Sequence, residues 1–123
     1  MKEKFNINKP TINVYFNPNI KDKNILNNIL LGMEEESIPY KIEENSEKDS
    51  VKLGYIAAKN SKLEVGIGIG TDNIIVIHYS KLTLNNPLFK VKITDTKKNI
   101  RFIGANAARL VKKNPFKNMD FMY

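Results

Sequence analysis

The run Val65-Gly66-Ile67-Gly68-Ile69-Gly70 limits the fold more than any other stretch of this 123-residue chain. With Leu63 and Glu64 ahead of it, the segment Leu63–Ile69 reads as a strand. Glycine inside a strand packs nothing and weakens it, so glycines at every second place need a reason. A nucleotide loop is one candidate. The spacing is wrong for the dinucleotide fingerprint, no helix follows, and the Lys-Ser/Thr of a P-loop is missing. The reading left is a strand whose glycines let another backbone approach closely.

The rest of the chain alternates between two periods. Thr11–Phe16 alternates, with Ile12, Val14 and Phe16 on one face, and reads as a strand ended by Asn17-Pro18-Asn19. Ile25, Leu26, Ile29, Leu30 and Met33 fall at helical spacing, with Asp22 as the cap and Pro39 as the stop. A short strand over Tyr40–Ile42 and a charged loop over Glu43–Asp49 come next. Asp49 or Ser50 caps a second helix that turns Leu53, Ile56 and Ala57 inward. Asn73–Tyr79 reads as a strand joined to the glycine strand by a hairpin over Gly70–Asn73. Asn85-Asn86-Pro87 is a turn, and Phe89–Ile93 alternates as an edge strand. Asp95 or Thr96 caps a last helix with Ile100, Ile103, Ala107, Leu110 and Val111 on one stripe, ended by Pro115. The order predicts a single compact α/β domain, a central mixed sheet flanked by about three helices. Its limits are expected at 11–117, with a loose arm at 1–10 and a tail at 118–123.

Composition removes several functions. The chain has no Cys, so it makes no disulfide or thiolate metal site, and this fits a reducing compartment. The N-terminus has no apolar run behind its charges, so no secretory signal is expected. No stretch approaches the ~20 apolar residues of a membrane helix. The formal charge is +7, but the lysines are scattered and only Arg101 and Arg109 supply guanidinium groups. Without an Arg-rich stripe or an aromatic-interleaved motif, a nucleic-acid partner is not expected.

Three features bear on chemistry. His78 is the only histidine; it sits near a strand end and reads as structural, and a cluster of several His or Cys ligands is impossible. Gly104-Ala105-Asn106-Ala107-Ala108 gives the last helix a small face for close packing on a sheet or another chain, across which Asn106 can hydrogen-bond. The acidic end Glu34-Glu35-Glu36 is the anomaly. A helix C-terminus favours Lys or Arg by roughly 0.3–1 kcal/mol, and adjacent carboxylates repel. A cation from elsewhere could offset that cost. Hard divalent ions such as Mg²⁺ take carboxylate oxygens, so one glutamate here could complete a site built mostly by another chain. A solvated acidic turn is the alternative.

These residues together resemble a known family. Leu31-Gly32-Met33-Glu34-Glu35-Glu36-Ser37-Ile38-Pro39 is similar to the Leu-Gly-Ile-Glu-Glu-Glu-Gly-Ile-Pro segment of the small subunit of diol/glycerol dehydratase reactivases, with Ser37 in place of the usual Gly. Val65–Ile69, Val76-Ile77-His78-Tyr79, Pro87-Leu88-Phe89, Gly104–Lys112 and Asn114-Pro115-Phe116 follow in the same order, covering roughly residues 25–117. The resemblance implies the fold of the dehydratase's own medium (β) subunit. It implies a non-catalytic partner of a large, Hsp70-like ATPase subunit, two of each forming a hetero-tetramer. Their joint task is to release damaged cobalamin from inactivated coenzyme-B12-dependent dehydratase by subunit exchange. It also implies a Mg²⁺ shared with the large subunit through Glu35, with Glu34 and Glu36 as alternatives. Glu34, Glu36, Asn106 and Arg109 are expected at the partner interface. Neither cobalamin nor nucleotide is expected on this chain alone. A cytoplasmic location is expected, with association with a bacterial microcompartment left open.

A second reading is a medium-type subunit of the dehydratase itself. That family shares the glycine strand, the Val-Ile-His segment and the Asn-Ala-Ala-Arg helix, but its members usually carry a longer N-terminal region. A basic nucleic-acid-binding module is the third.

Overall fold

Parallel strands need crossovers long enough to hold a helix, and the spacing of the apolar runs allows two. In the computed structural model, which describes residues 9–94 and 97–117, β1 (Ile12–Phe16), α1 (Asn24–Glu35), β2 (Tyr40–Glu44), α2 (Ser50–Lys59) and β3 (Val65–Ile69) form those crossovers. A meander of β4 (Ile74–Tyr79) and β5 (Phe89–Lys92) and then α3 (Lys97–Lys112) complete the chain. The strand order is β2-β1-β3-β4-β5; β1 runs parallel to β2 and β3, and the other two pairings are antiparallel. The expected single α/β domain with a mixed sheet and three helices is therefore present.

Side-chain alternation divides the sheet into two unlike faces. Ile12, Val14 and Phe16 of β1, Val65, Ile67 and Ile69 of β3, and Ile75 and Ile77 of β4 point to one side. There they meet Ile25, Ile29 and Met33 of α1 and Ile100, Ile103 and Ala107 of α3 in the main core. On the other face Gly66 and Gly68 leave β3 without side chains between those of β1 and β4, and α2 settles directly on the strand. A Cβ on Gly66 would fall 2.2 Å from the Ala58 nitrogen, and one on Gly68 would fall 2.2 Å from the Gly54 nitrogen. The glycine strand thus serves the backbone approach its pattern suggested, and α2 occupies the space a nucleotide loop would need.

Helix α2 also corrects one expectation. The helical spacing places Ile56 inward, yet it is 37% exposed. The contact is so close that only the narrow strip Leu53, Gly54, Ala57 and Ala58 fits against the sheet. The cap is Asp49, whose carboxylate accepts the N–H groups of Val51 and Lys52 at 2.8 and 3.3 Å. Ser50 instead ties the helix start to the β3–β4 turn: its Oγ accepts the Gly70 N–H and lies 2.6 Å from both Asp72 Oδ1 and the Ile74 carbonyl.

Strand and helix ends shift in instructive ways. β2 runs two residues past Ile42, because Glu43 and Glu44 pair with Tyr15 and Phe16 through the backbone, which needs no apolar side chain at an edge. Leu63 and Asn73 lie outside β3 and β4; Glu64 and Asn73 take positive φ of 67° and 64° in the flanking turns. β5 stops at Lys92 and is an edge strand as expected. Asp22 accepts the Asn24 N–H at 2.9 Å, although Lys23 holds the capping position of α1. The residues read as a cap of α3, Asp95 and Thr96, lie outside the described residues, as do residues 1–8 of the arm and the 118–123 tail.

Pro39 does not itself end α1. Ser37 does, in the left-handed conformation at φ 60°. Its N–H donates to the Glu34 carbonyl at 3.1 Å and the Ile38 N–H reaches the Met33 carbonyl at 3.5 Å, while Ile38 packs on the core that buries Met33. This is a Schellman turn with serine at the position glycine prefers. Ser37→Gly is expected to stabilise the fold by roughly 0.5–1 kcal/mol and raise the melting temperature by about 3–5 °C. Thermal melting followed by circular dichroism checks this; a fall would show that the turn is not strained.

Candidate functional site

Two glycines bring the acidic end of α1 against α3. A Cβ on Gly32 would fall 2.0 Å from the Arg101 carbonyl oxygen, and one on Gly104 would fall 1.9 Å from the Ile29 carbonyl oxygen. The helices therefore touch backbone to backbone. This contact accounts for the small residues of α3: Ile103 to Ala108 are all buried.

The close crossing supplies the cations that the end of α1 lacks. α1 has no basic residue in its last turn. α3 provides them instead. Glu36 Oε2 accepts from Arg109 Nε at 3.0 Å and Oε1 accepts from Lys112 Nζ at 2.7 Å. Lys112 Nζ also donates to the Glu36 carbonyl at 3.1 Å, which places a cation at the negative end of the helix dipole. The lysine and arginine bonds hold the Glu36 carboxyl below its ordinary pKa, against the opposing effect of burial. Its side chain is only 10% exposed.

The three glutamates are thus not equivalent. Glu36 is committed to α3. Glu34 accepts the Tyr40 hydroxyl at 2.7 Å, a bond that raises the phenol's pKa. Glu35 is half-exposed, and Arg101 Nη1 stands 3.8 Å from its Oε2, too far for a hydrogen bond. The middle carboxylate is the one that can leave its neighbour at little cost. No group of three or more His, Cys, Asp or Glu side chains able to hold a metal occurs among the described residues. The chain can offer a hard cation a carboxylate oxygen, but the described residues do not enclose one.

The other expected interface residues face inward to their own chain. Asn106 is fully buried; its Oδ1 accepts the Lys117 N–H at 2.7 Å and its Nδ2 donates to the Lys117 carbonyl at 3.2 Å. Arg109 reaches the Pro115 carbonyl at 2.9 Å with Nη1. Phe116 meets Phe89 edge to face at 5.2 Å. Residues 114–117 are thereby strapped across α3. Sequence reasoning missed Arg101, Lys112 and Tyr40 as partners of the acidic end. The signal for Lys112 lay in its spacing, one helical turn beyond Arg109.

His78 is structural, as expected. It is fully buried, with Tyr55 edge-on at 5.4 Å. Nε2 lies 3.0 Å from the Leu84 carbonyl oxygen, and Nδ1 lies 3.1 Å from the Tyr79 nitrogen and 3.2 Å from its carbonyl oxygen, so both ring nitrogens are held by the main chain. No helix among the described residues is long and apolar enough to cross a membrane.

The model of the family Dehydratase medium subunit matches residues 9–117, so the two-faced sheet and the glycine-lined helix crossing belong to a domain of that class. The relatives narrow it. The chain is 38% identical over 112 residues to the propanediol dehydratase-reactivating factor small subunit of Citrobacter freundii, covering 91% of this chain and 94% of that one. It is 37% identical over 92 residues to the diol dehydratase-reactivating factor small subunit of Klebsiella michiganensis, covering 75% of this chain and 73% of that one. A solved glycerol dehydratase reactivase superposes with a TM-score of 0.85 at 30% identity, over 89% of this chain and 97% of its own. The diol dehydratase-reactivating factor complexed with ADP and Mg²⁺ does so with 0.81 at 33% identity, over 89% and 98%. The chain belongs to the small-subunit family of dehydratase reactivating factors.

Proposed function

We propose that this chain is the exchangeable small subunit of a factor that restores inactivated coenzyme-B12-dependent glycerol or diol dehydratase. It pairs with a large ATPase subunit, two of each per complex, and itself neither hydrolyses ATP nor holds cobalamin. It leaves the large subunit so that the dehydratase's medium subunit can be gripped in its place, and the damaged cobalamin then escapes. The observation that carries this reading is near full-length similarity to reactivating-factor small subunits. The family model's name keeps a medium subunit of the dehydratase itself as the second reading. Copurification with a catalytic subunit and retained cobalamin would favour that one.

Glu35 would give one carboxylate oxygen to a Mg²⁺ shared with the large subunit, the other ligands coming from the partner. The support is its half-exposed side chain and the prior commitment of Glu34 and Glu36. Bound there, the ion supplies a charge bridge between subunits. Glu35→Gln is expected to weaken the complex about ten-fold or more in Mg²⁺ and to change little in EDTA. Pull-down and titration calorimetry with the large subunit and ADP check this. Equal affinity of both proteins in Mg²⁺ would remove Glu35 from the site, and no complex in any nucleotide state would remove the reactivase reading.

A further inference from the structure

Arg101 and Arg109 lie about two turns apart on α3, yet they are used very differently. Arg109 bonds to Glu36 and to the Pro115 carbonyl. Among the described residues Arg101 makes no hydrogen bond with its guanidinium. Nη1 stays 3.8 Å from Glu35, and Nε is buried and bonds to nothing. A buried donor left unmade is costly, and an arginine fork is built for two parallel bonds to a carboxylate. The position is not slack, because the Arg101 carbonyl packs where a Cβ on Gly32 would stand. The main chain is fixed, and the side chain, 43% exposed, stands beside Glu35.

Charge then says what must meet it. Once Glu35 serves a divalent cation, its carboxylate no longer neutralises Arg101. A guanidinium and a dication would share one neighbourhood on a chain whose formal charge is already +7. That arrangement is stable only if the facing surface carries more carboxylate than the metal needs. We propose that Arg101 is a second docking residue, which takes the carboxylate of an Asp or Glu side chain on the large subunit independently of the metal. The inference rests on the reading that this surface faces the large subunit; the unbonded Nε and the 3.8 Å gap to Glu35 stand without the metal, and the charge argument adds to them where Glu35 is a ligand.

The test measures binding of the purified large subunit to the wild-type chain, Arg101→Gln, Arg101→Lys and Glu35→Gln, each in Mg²⁺ and in EDTA, at low and high salt. Arg101→Gln removes no hydrogen bond among the described residues, so its circular dichroism and melting temperature should stay close to the wild type. Its affinity is expected to fall about ten-fold in Mg²⁺ and in EDTA alike, with a deficit that shrinks as salt screens the pair. Arg101→Lys keeps the charge without the fork and should fall between the two. Wild-type affinity for Arg101→Gln in both media overturns the proposal, as does a loss confined to Mg²⁺, which would mean that Arg101 acts only by holding Glu35. A loss in both media with Glu35→Gln unaffected supports the Arg101 contact and removes the metal reading instead. No complex with the wild-type chain removes both.

Discussion

Gly104→Ala is expected to lower the melting temperature by about 10 °C or more, despite placing a better helix former inside a helix. The two effects oppose each other. Alanine gains roughly 0.5–1 kcal/mol over glycine in a helix interior. The new methyl would sit 1.9 Å from the Ile29 carbonyl oxygen, with the Ile29 carbonyl carbon and the Met33 nitrogen behind it. Those atoms are backbone and cannot rotate away, so α1 must move off α3. Overpacking of that kind costs typically 1–3 kcal/mol and more where nothing can yield. The overlap wins by about 2–3 kcal/mol, which at this chain length is about 10 °C. Displacing α1 also separates Glu36 from Arg109 and Glu35 from Arg101, so binding to the large subunit should weaken even below the melting transition. Thermal and urea unfolding check the first effect. A melting temperature at or above the wild-type value would show that the helices are not in backbone contact.

Glu36→Gln should cost about 2 kcal/mol at neutral pH, through loss of its bonds to Arg109 and Lys112. Removing one partner of a buried pair costs 3–5 kcal/mol and of an exposed pair under 1, and these two cations are about one-third exposed. The sign of the pH dependence follows from the lowered pKa of Glu36. The folded state binds this proton less readily than the unfolded chain does. The stabilisation is therefore present above the unfolded value, about 4.3, and is lost as pH falls through the lower folded value. Urea midpoints at pH 7 should separate the variant from the wild type clearly. As pH falls through the lowered folded value the two should approach each other. A gap of the same size in acid would assign the loss to packing rather than charge.

The fold was largely legible because its devices are local. Alternation in Thr11–Phe16 and the helical spacing of Ile25, Ile29 and Met33 report burial directly, and Asp49 caps α2 through a bond two residues away. The glycine strand even announced a close neighbour. What stayed hidden depends on which distant element arrives. Nothing local says that α2 would press so tightly that Ile56 turns outward. The acidic end was visible as an anomaly, but its resolution lies 73 and 76 residues along the chain, at Arg109 and Lys112. Asn106 could be flagged as a polar group in a small-residue helix; that its partner is the main chain of Lys117 is a property of the strap. Nor could the sequence show how Glu34, Glu35 and Glu36 divide their attachments.

The unequal faces of the sheet have a thermal consequence. Contacts made by apolar side chains weaken on cooling, because the hydration of apolar surface carries a large heat capacity. The layer of α1 and α3 depends on such contacts throughout. The α2 layer depends on them less, since its glycine-lined backbone contact is supplemented by a smaller apolar set, Tyr15, Leu53, Ala57, Ala58 and Val76. The heat-capacity change of unfolding therefore originates mostly on one side of the sheet. On cooling, the side expected to weaken more is the one carrying Glu35 and Arg101.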